Sequence, residues 1–259
     1  MNSRRIPMSL AAYENLPFNP AWKQEYFAGC LVETPREIFV HACLPVAPRA
    51  LATPAALRPV VAADEHLLHA LFCDAFADTI EFCDHPEARF RSAARDCLAR
   101  FFREAHQVSW TSSRIALAPP GTVRAGQPIG AALVAVEDAG WALLDMLFVA
   151  PEWWRRGVAS ALVASVLSAL HDSGWIRTLV SRYHLGNEAS RAWHQCTGFI
   201  DEPDLQVARL RHRAARDEAE RTFWWHEVIR LEALFESGNR AGAFAREKWT
   251  RTPRGAAHR

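Results

Sequence analysis

The chain has 259 residues, half of them hydrophobic and 23% charged, the balance of a globular protein whose core needs no disulfide or metal to hold it. Thirty basic and 29 acidic residues leave a net charge of +1, which excludes a general nucleic-acid or polyanion binder; no stretch approaches the roughly 18 uninterrupted apolar residues of a membrane span. Six cysteines (Cys30, Cys43, Cys73, Cys83, Cys97, Cys196) lack CxxC spacing, so reduced thiols in a cytoplasmic protein are expected, with neither a disulfide framework nor a metal site.

Along the chain, Arg4 and Arg5 are followed by no apolar run before Tyr13, Glu14 and Asn15, so no secretory signal is expected. Residues 1–27 carry Phe18, Pro20, Trp22, Tyr26 and Phe27 without periodicity and read as an extended arm. Residues 30–46 hold two β-prone runs around Thr34-Pro35-Arg36, a hairpin or edge pair. Residues 47–56, rich in Pro and Ala, read as a linker. A short strand follows from Leu57 to Val61, then a helix capped by Asp64 with Leu67, Leu68, Leu71, Phe72 and Phe76 on one stripe. A second helix is expected from about Pro86 to Arg103 and a strand from Ser113 to Ala118. Strands at Ile129–Val136 and Trp141–Val149 are joined by the hairpin signal Glu137-Asp138-Ala139-Gly140. A helix starts at Val158, with Val158, Leu162, Val166, Ala169 and Leu170 on one stripe and Gly174 at its end. A strand at Ile176–Ser181, a helix at Glu188–Cys196 and a strand from Gly198-Phe199 complete this region. Residues 209–247 are charged and helix-prone, with Trp224, Trp225, Val228, Leu231 and Leu234 as an apolar stripe. The last twelve residues are basic and expected to fray.

The stretch Ala150-Pro151-Glu152-Trp153-Trp154-Arg155-Arg156-Gly157-Val158-Ala159-Ser160 carries the chemistry. A strand ends, the chain turns, and a helix opens on small residues. The first helical turn has unpaired N–H groups and positive dipole character, and a glycine lets a phosphate approach the backbone. With Arg155 and Arg156 alongside, this reads as a pyrophosphate cradle; it lacks both GxxxxGK[ST] and GxGxxG. The other reading is an ordinary strand-to-helix turn with solvated arginines. Downstream lies Asn187, then a helix containing His194, then Gly198-Phe199.

Together these two stretches resemble the GNAT superfamily of acetyl-CoA-dependent N-acetyltransferases, as a bacterial member. The family motif [Q/R]-x-x-G-x-[G/A], introduced by V-x-P, reads here as Val149-Ala150-Pro151 and Trp154-Arg155-Arg156-Gly157-Val158-Ala159. Trp154 stands where the family has Gln or Arg, which leaves the backbone part of the cradle intact. His194 stands where the family has its tyrosine. The element order from Leu57 to about Asp204 also fits: strand, two helices, three strands, helix, strand, helix, strand.

The resemblance implies an α/β fold with a central mixed, mostly antiparallel sheet flanked by helices, whose fourth and fifth strands run parallel and splay apart. It divides the chain into an N-terminal arm and hairpin (1–56), the acetyltransferase domain (57–204) and a C-terminal helical extension (205–259). It implies acetyl-CoA as donor, with the backbone of Leu147, Phe148 and Val149 meeting pantetheine. The amides of Arg155, Arg156, Gly157, Val158, Ala159 and Ser160 would hold the pyrophosphate, and Asn187 would lie near the cofactor. A β-strand N–H would polarise the thioester carbonyl. His194 would be the general acid; the alternatives are a base, or a helix histidine bonded to backbone. Asp145, placed by period two on one face with Leu143, Leu147 and Val149, is the candidate base, its pKa expected to rise on a buried floor. Glu137 is the weaker candidate. Glu81 and Asp84 lie in the loop where the family builds its acceptor pocket and would attract a cationic amine; the alternative is a pair of solvated loop acids. Tyr183 and His184 would line the acceptor site. Trp153 and Trp154 would cover the cofactor or anchor the surface, and Trp224-Trp225 would pack.

The expected function is therefore an acyltransferase that moves acetyl to a small-molecule or peptide amine by direct attack in a ternary complex. No metal, nucleic acid or membrane is expected, and the apolar arm is compatible with a homodimer. The alternative is a catalytically inactive CoA-binding or protein-interaction adaptor on the same scaffold.

Overall fold

The computed structural model describes residues 4–49, 53, 55–105, 107–137 and 139–249. In chain order these form β1 (Arg4–Pro7), α1 (Leu10–Glu14), β2 (Trp22–Phe27), β3 (Cys30–Pro35), β4 (Phe39–Pro45), β5 (Ala56–Pro59), α2 (Asp64–Phe76), α3 (Glu87–Glu104), α4 (Gln107–Ser112), β6 (Arg114–Leu117), β7 (Pro128–Glu137) and β8 (Trp141–Val149). A short 3-10 segment (Pro151–Trp153) then leads to α5 (Val158–Asp172), β9 (Thr178–His184), α6 (Glu188–Thr197), β10 (Ile200–Asp201), α7 (Leu205–Ala214), α8 (Glu218–Glu236), α9 (Arg240–Ala243) and α10 (Ala245–Lys248). Residues 50–52 and 54 of the expected linker, Asp138 of the expected hairpin, and 250–259 of the tail expected to fray lie outside the described residues. The chain forms two compact units, Cys43–Ser181 and Met1–Ala42 with Arg182–Arg259.

In the unit Cys43–Ser181, β5, β6, β7 and β8 form an antiparallel series, and β8 pairs parallel with β9. This is the expected mixed, mostly antiparallel sheet. β7 is buried at every position after Pro128, which requires cover on both faces of the sheet. Helices α2, α4 and α5 pack on β7. The core contains Ile115, Ile129, Leu133, Leu162, Leu167, Leu170 and Leu179, none above 2% exposed. β6 reaches only Ala132 on β7. Beyond it, α4 and its following residue supply acceptors: Val134 N–H donates to Ser113 Oγ (2.9 Å) and Val136 N–H to Ser109 Oγ (3.0 Å). No periodicity in the sequence announced α4. Asp64, expected as a cap, is instead the first residue of α2, and the N-cap is Ala63 with no side-chain bond. Its carboxylate accepts from Val61 N–H (2.8 Å) and from both ends of the Arg58 guanidinium (2.6 and 2.8 Å). Burial pushes this carboxyl pKa up, but those bonds outweigh burial and hold it below the usual range.

In the other unit, residues 4–35 are not an arm. β1, β3 and β2 form an antiparallel sheet in that order. The hairpin turn is Ala28-Gly29, both at positive φ (50° and 77°), as a two-residue connection between right-twisted strands requires. The expected hairpin across Thr34-Pro35-Arg36 is absent because β3 pairs with β1 and β2, while β4 belongs to another sheet. The C-terminal helices share a core of Leu205, Ala208, Val228 and Leu231, with Trp224, Leu234 and Phe244 packed against it. Trp225, expected on that stripe, is 49% exposed and stacks on His212 instead. Asp204, Asp217 and Asn239 cap α7, α8 and α9 through their side chains.

Candidate active site

The start of α5 is built by two left-handed residues. After the 3-10 segment, Arg155 (φ 61°) and Gly157 (φ 76°) reverse the chain, and Gly157 is the N-cap of α5. A Cβ on Gly157 would meet nothing within 4 Å, so glycine is demanded by the backbone conformation and the space above it is open. No side chain caps α5 and no acid lies in its first turn. The first helical bond runs from Ala161 N–H to Gly157 O (2.9 Å). The N–H groups of residues 158–160 precede it and have no intrahelical acceptor. Arg156 lies over the buried Trp153 ring at 5.1 Å, and Glu152 is neutralised by Arg124 at 2.9 Å. The field at this helix start is therefore positive. Trp154 donates from Nε1 to Val149 O (2.7 Å), which ties the turn to the end of β8.

β8 carries a bulge. Pairing with β7 shifts from Leu133↔Met146 to Val134↔Leu144, which leaves Asp145 as the extra residue. The period-two face expected for Leu143, Asp145, Leu147 and Val149 is thereby broken. Leu147 and Val149 share a face with Leu144, whereas Leu143 lies on the face of Met146 and Phe148. The parallel ladder with β9 runs from Trp141↔Thr178 to Leu144↔Ser181 and ends where the bulge begins. The Asp145 side chain is 3% exposed although the residue as a whole is half-buried, so its exposed surface is backbone. Its carboxylate stands 4.0 Å from an Arg100 terminal nitrogen. Glu137, the weaker candidate base, is buried at the far end of β7.

Glu81 and Asp84 lie in a run of turns between α2 and α3, both half-buried. The turns close through Phe82 N–H to Thr79 O (3.1 Å) and His85 N–H to Phe82 O (2.9 Å). Phe82 holds the loop against Phe72 (5.9 Å), Phe76 (5.8 Å) and Phe90 (4.9 Å), and Phe72 touches Phe148 of β8 (5.5 Å). The loop is thus fixed to the strand that carries Asp145 through an aromatic cluster that sequence periodicity did not disclose.

The remaining candidates lie in the other unit. Tyr183 and His184, expected to line an acceptor site, are each 2% exposed. Tyr183 donates to the Asp201 carboxylate (2.9 Å), and burial with that neighbouring charge pushes its phenol pKa far up. Arg211 completes the group on Asp201 at 3.0 Å and lies over Trp224 at 4.9 Å. His184 Nε2 bonds Arg36 O (2.6 Å) and its Nδ1 accepts from Gly186 N–H (3.0 Å), so both ring nitrogens are engaged internally. β9 begins at Thr178 and carries both residues as buried strand positions. Asn187 is the N-cap of α6, with Oδ1 accepting from Ser190 N–H (2.9 Å). His194 is 4% exposed, packs on Tyr183 (4.8 Å) and Phe199 (4.9 Å), and donates from Nδ1 to Ser190 O (2.7 Å). Burial lowers its pKa against the opposing pull of that bond and of Asp201, so the ring is neutral at pH 7. Among the described residues, no group of three or more His, Cys, Asp or Glu is arranged to hold a metal ion. No helix among them is long and apolar enough to cross a membrane.

A strand-to-helix turn with an uncapped helix start thus follows β8 of a mixed sheet, the architecture of an α/β protein. Residues 77–199 match the model of the acetyltransferase (GNAT) family. No curated protein matches the chain. Among solved structures it is similar to a GCN5-related N-acetyltransferase from Sphaerobacter thermophilus, with 17% identity, 63% of this chain and 48% of that one covered, and a TM-score of 0.44. This chain thus spans about half the length of that protein. It is also similar to the PaiA N-acetyltransferase of Thermoplasma acidophilum in complex with coenzyme A (15% identity, 56% and 89% covered, TM-score 0.46). A third likeness is to the ribosomal-protein-S18-alanine N-acetyltransferase of Escherichia coli (16% identity, 56% and 77% covered, TM-score 0.42).

Proposed function

We propose that the chain transfers an acetyl group from acetyl-CoA to a primary amine, on a small molecule or a peptide, by direct attack in a ternary complex. The observation that carries this reading is the start of α5. Its unbonded N–H groups, the open space over Gly157 and the absence of any capping or acidic side chain fit a diphosphate. The amides of Arg155 to Ser160 hold that group. The backbone of Leu147 to Val149, past the end of the parallel ladder, receives the pantetheine arm as an added strand would be received.

Acetyl-CoA supplies a thioester whose carbonyl carbon is the electrophile. The exposed backbone at the Asp145 bulge offers an N–H to the carbonyl oxygen. Asp145 accepts the proton that the attacking amine loses. A C–N bond forms and the C–S bond breaks; the CoA thiolate then takes a proton from water. Glu81 and Asp84 draw the protonated amine toward the loop, where it gives its first proton to water before attack. His194 braces α6 against Tyr183 and takes no part in the chemical step, because its Nδ1 proton is held by Ser190.

A second reading, a CoA-binding module without transfer, is favoured by one observation. The Trp154 indole occupies the Val149 carbonyl, an acceptor that an added strand would otherwise use. Mixing the full chain with acetyl-CoA and a panel of amines, with products read by mass spectrometry, separates the two readings. Acetylated product that disappears in Asp145→Asn supports transfer. Binding of acetyl-CoA with no product from any amine supports the module.

A further inference from the structure

The Arg100–Asp145 pair is incomplete. The Asp145 carboxylate is 3% exposed, yet among the described residues it accepts no hydrogen bond, and Arg100 stands 4.0 Å away, too far to donate one. Arg100 Nε is buried and also lacks a hydrogen-bond partner. Buried charged groups with open hydrogen-bonding capacity are costly, and in a native protein each calls for an explanation. Here an anion and a cation are both left open, side by side, at the bulge of the strand that ends in the cradle.

We propose that the pair reads a zwitterion: the acceptor is an α-amino acid, its amine directed to Asp145 and its carboxylate to Arg100. This rests on the acetyltransferase reading. Charge decides between acceptor classes. A simple amine that approaches Asp145 also approaches the Arg100 guanidinium and is repelled by it. An acceptor with its own carboxylate one carbon from the amine turns that repulsion into a second ion pair. The guanidinium fork is suited to a carboxylate, and its unpartnered Nε is a donor that such a ligand satisfies. Arg100 lies in the C-terminal half of α3 with 43% of its side chain exposed, so it is the member of the pair able to swing out and admit a ligand. Arg100 was not legible from sequence, because an arginine on an amphipathic helix reads as a solvated residue.

The test uses the full chain with CoA or acetyl-CoA and matched acceptors: arginine with agmatine, histidine with histamine, tyrosine with tyramine. In the best pair, kcat/KM for the amino acid exceeds that for its decarboxylated partner by at least about tenfold, with the difference in KM, since a site built for a polar group rejects an analogue lacking it. Arg100→Met, which keeps the length of the side chain, collapses that ratio to about one, and Arg100→Lys retains part of it. Wild-type ratios near one, or a ratio unchanged in Arg100→Met, overturn the inference and leave acetyl transfer standing. A chain that acetylates neither series overturns the inference alone, and one that CoA does not stabilise against heat overturns both.

Discussion

Helices α5 and α6 begin in opposite ways. α6 is closed by its own residues: Asn187 Oδ1 takes Ser190 N–H at 2.9 Å, and Glu188 lies in the first turn against the helix dipole. α5 begins at a left-handed glycine with no cap and no acid. Both starts were read in the sequence as contacts for one cofactor, yet only α5 has no side-chain acceptor for any of its first N–H groups. The same contrast separates the side chains of the two units. Tyr183, His184 and His194 have their polar atoms in internal bonds, whereas Asp145 and Arg100 face each other without a hydrogen bond. A residue type that could do chemistry becomes a candidate only when the fold leaves its capacity open.

The largest effect that would break this comparison is at Gly157. Gly157→Val puts a branched residue at positive φ and fills the space over the helix start. Acetyl-CoA affinity should fall by about 100-fold or more by calorimetry, with a stability loss of about 1–2 kcal/mol from the left-handed conformation. Asp145→Asn keeps the shape but removes the base. Its kcat should fall by about 100-fold while acetyl-CoA binds as before, and an unchanged kcat would remove Asp145 from the chemical step. Tyr183→Phe deletes a buried hydroxyl bonded to a carboxylate and should cost about 1–3 kcal/mol in a urea titration, without loss of cofactor affinity. Asn187→Ala removes one cap and should cost about 1 kcal/mol, read as a lower melting temperature. A large loss of CoA affinity there would show that α6 is not closed.

The smallest effect is on pH. Burial lowers the pKa of both His41 and His194. Unfolded, both titrate near their ordinary value of 6.5. Below that pH the unfolded chain binds protons that the folded chain refuses, so stability is full above about pH 7.5 and falls toward pH 5.5. The urea midpoint should drop across that window, and less so in His194→Gln. A midpoint that rises on acidification would contradict the assignment.

Much of the sheet was legible. Near-continuous apolar runs mark β7 and β8, Gly140 marks their turn, and the small residues after Gly157 mark α5. The Asp145 bulge was not legible, because an extra residue on one strand is defined only by its register with the other. The N-terminal sheet was missed because its hairpin turn places Ala28 at positive φ, where sequence rules look for Asn, Asp or Gly. Trp22 to Phe27 nonetheless alternates half-buried and exposed along the strand. The cradle was readable because it depends on backbone and on one glycine. Arg100 and Asp201 were missed because their meaning comes from partners 45 and 18 residues away in the chain.

The most direct test of the central claim, that the open start of α5 holds the diphosphate of acetyl-CoA, is calorimetric titration of the full chain with acetyl-CoA and with acetyl-pantetheine, which lacks that group. Acetyl-CoA should bind the wild type, and both acetyl-pantetheine and the Gly157→Val variant should lose about two orders of magnitude or more in affinity. Equal affinity for the two ligands, or acetyl-CoA binding unchanged in Gly157→Val, would contradict it.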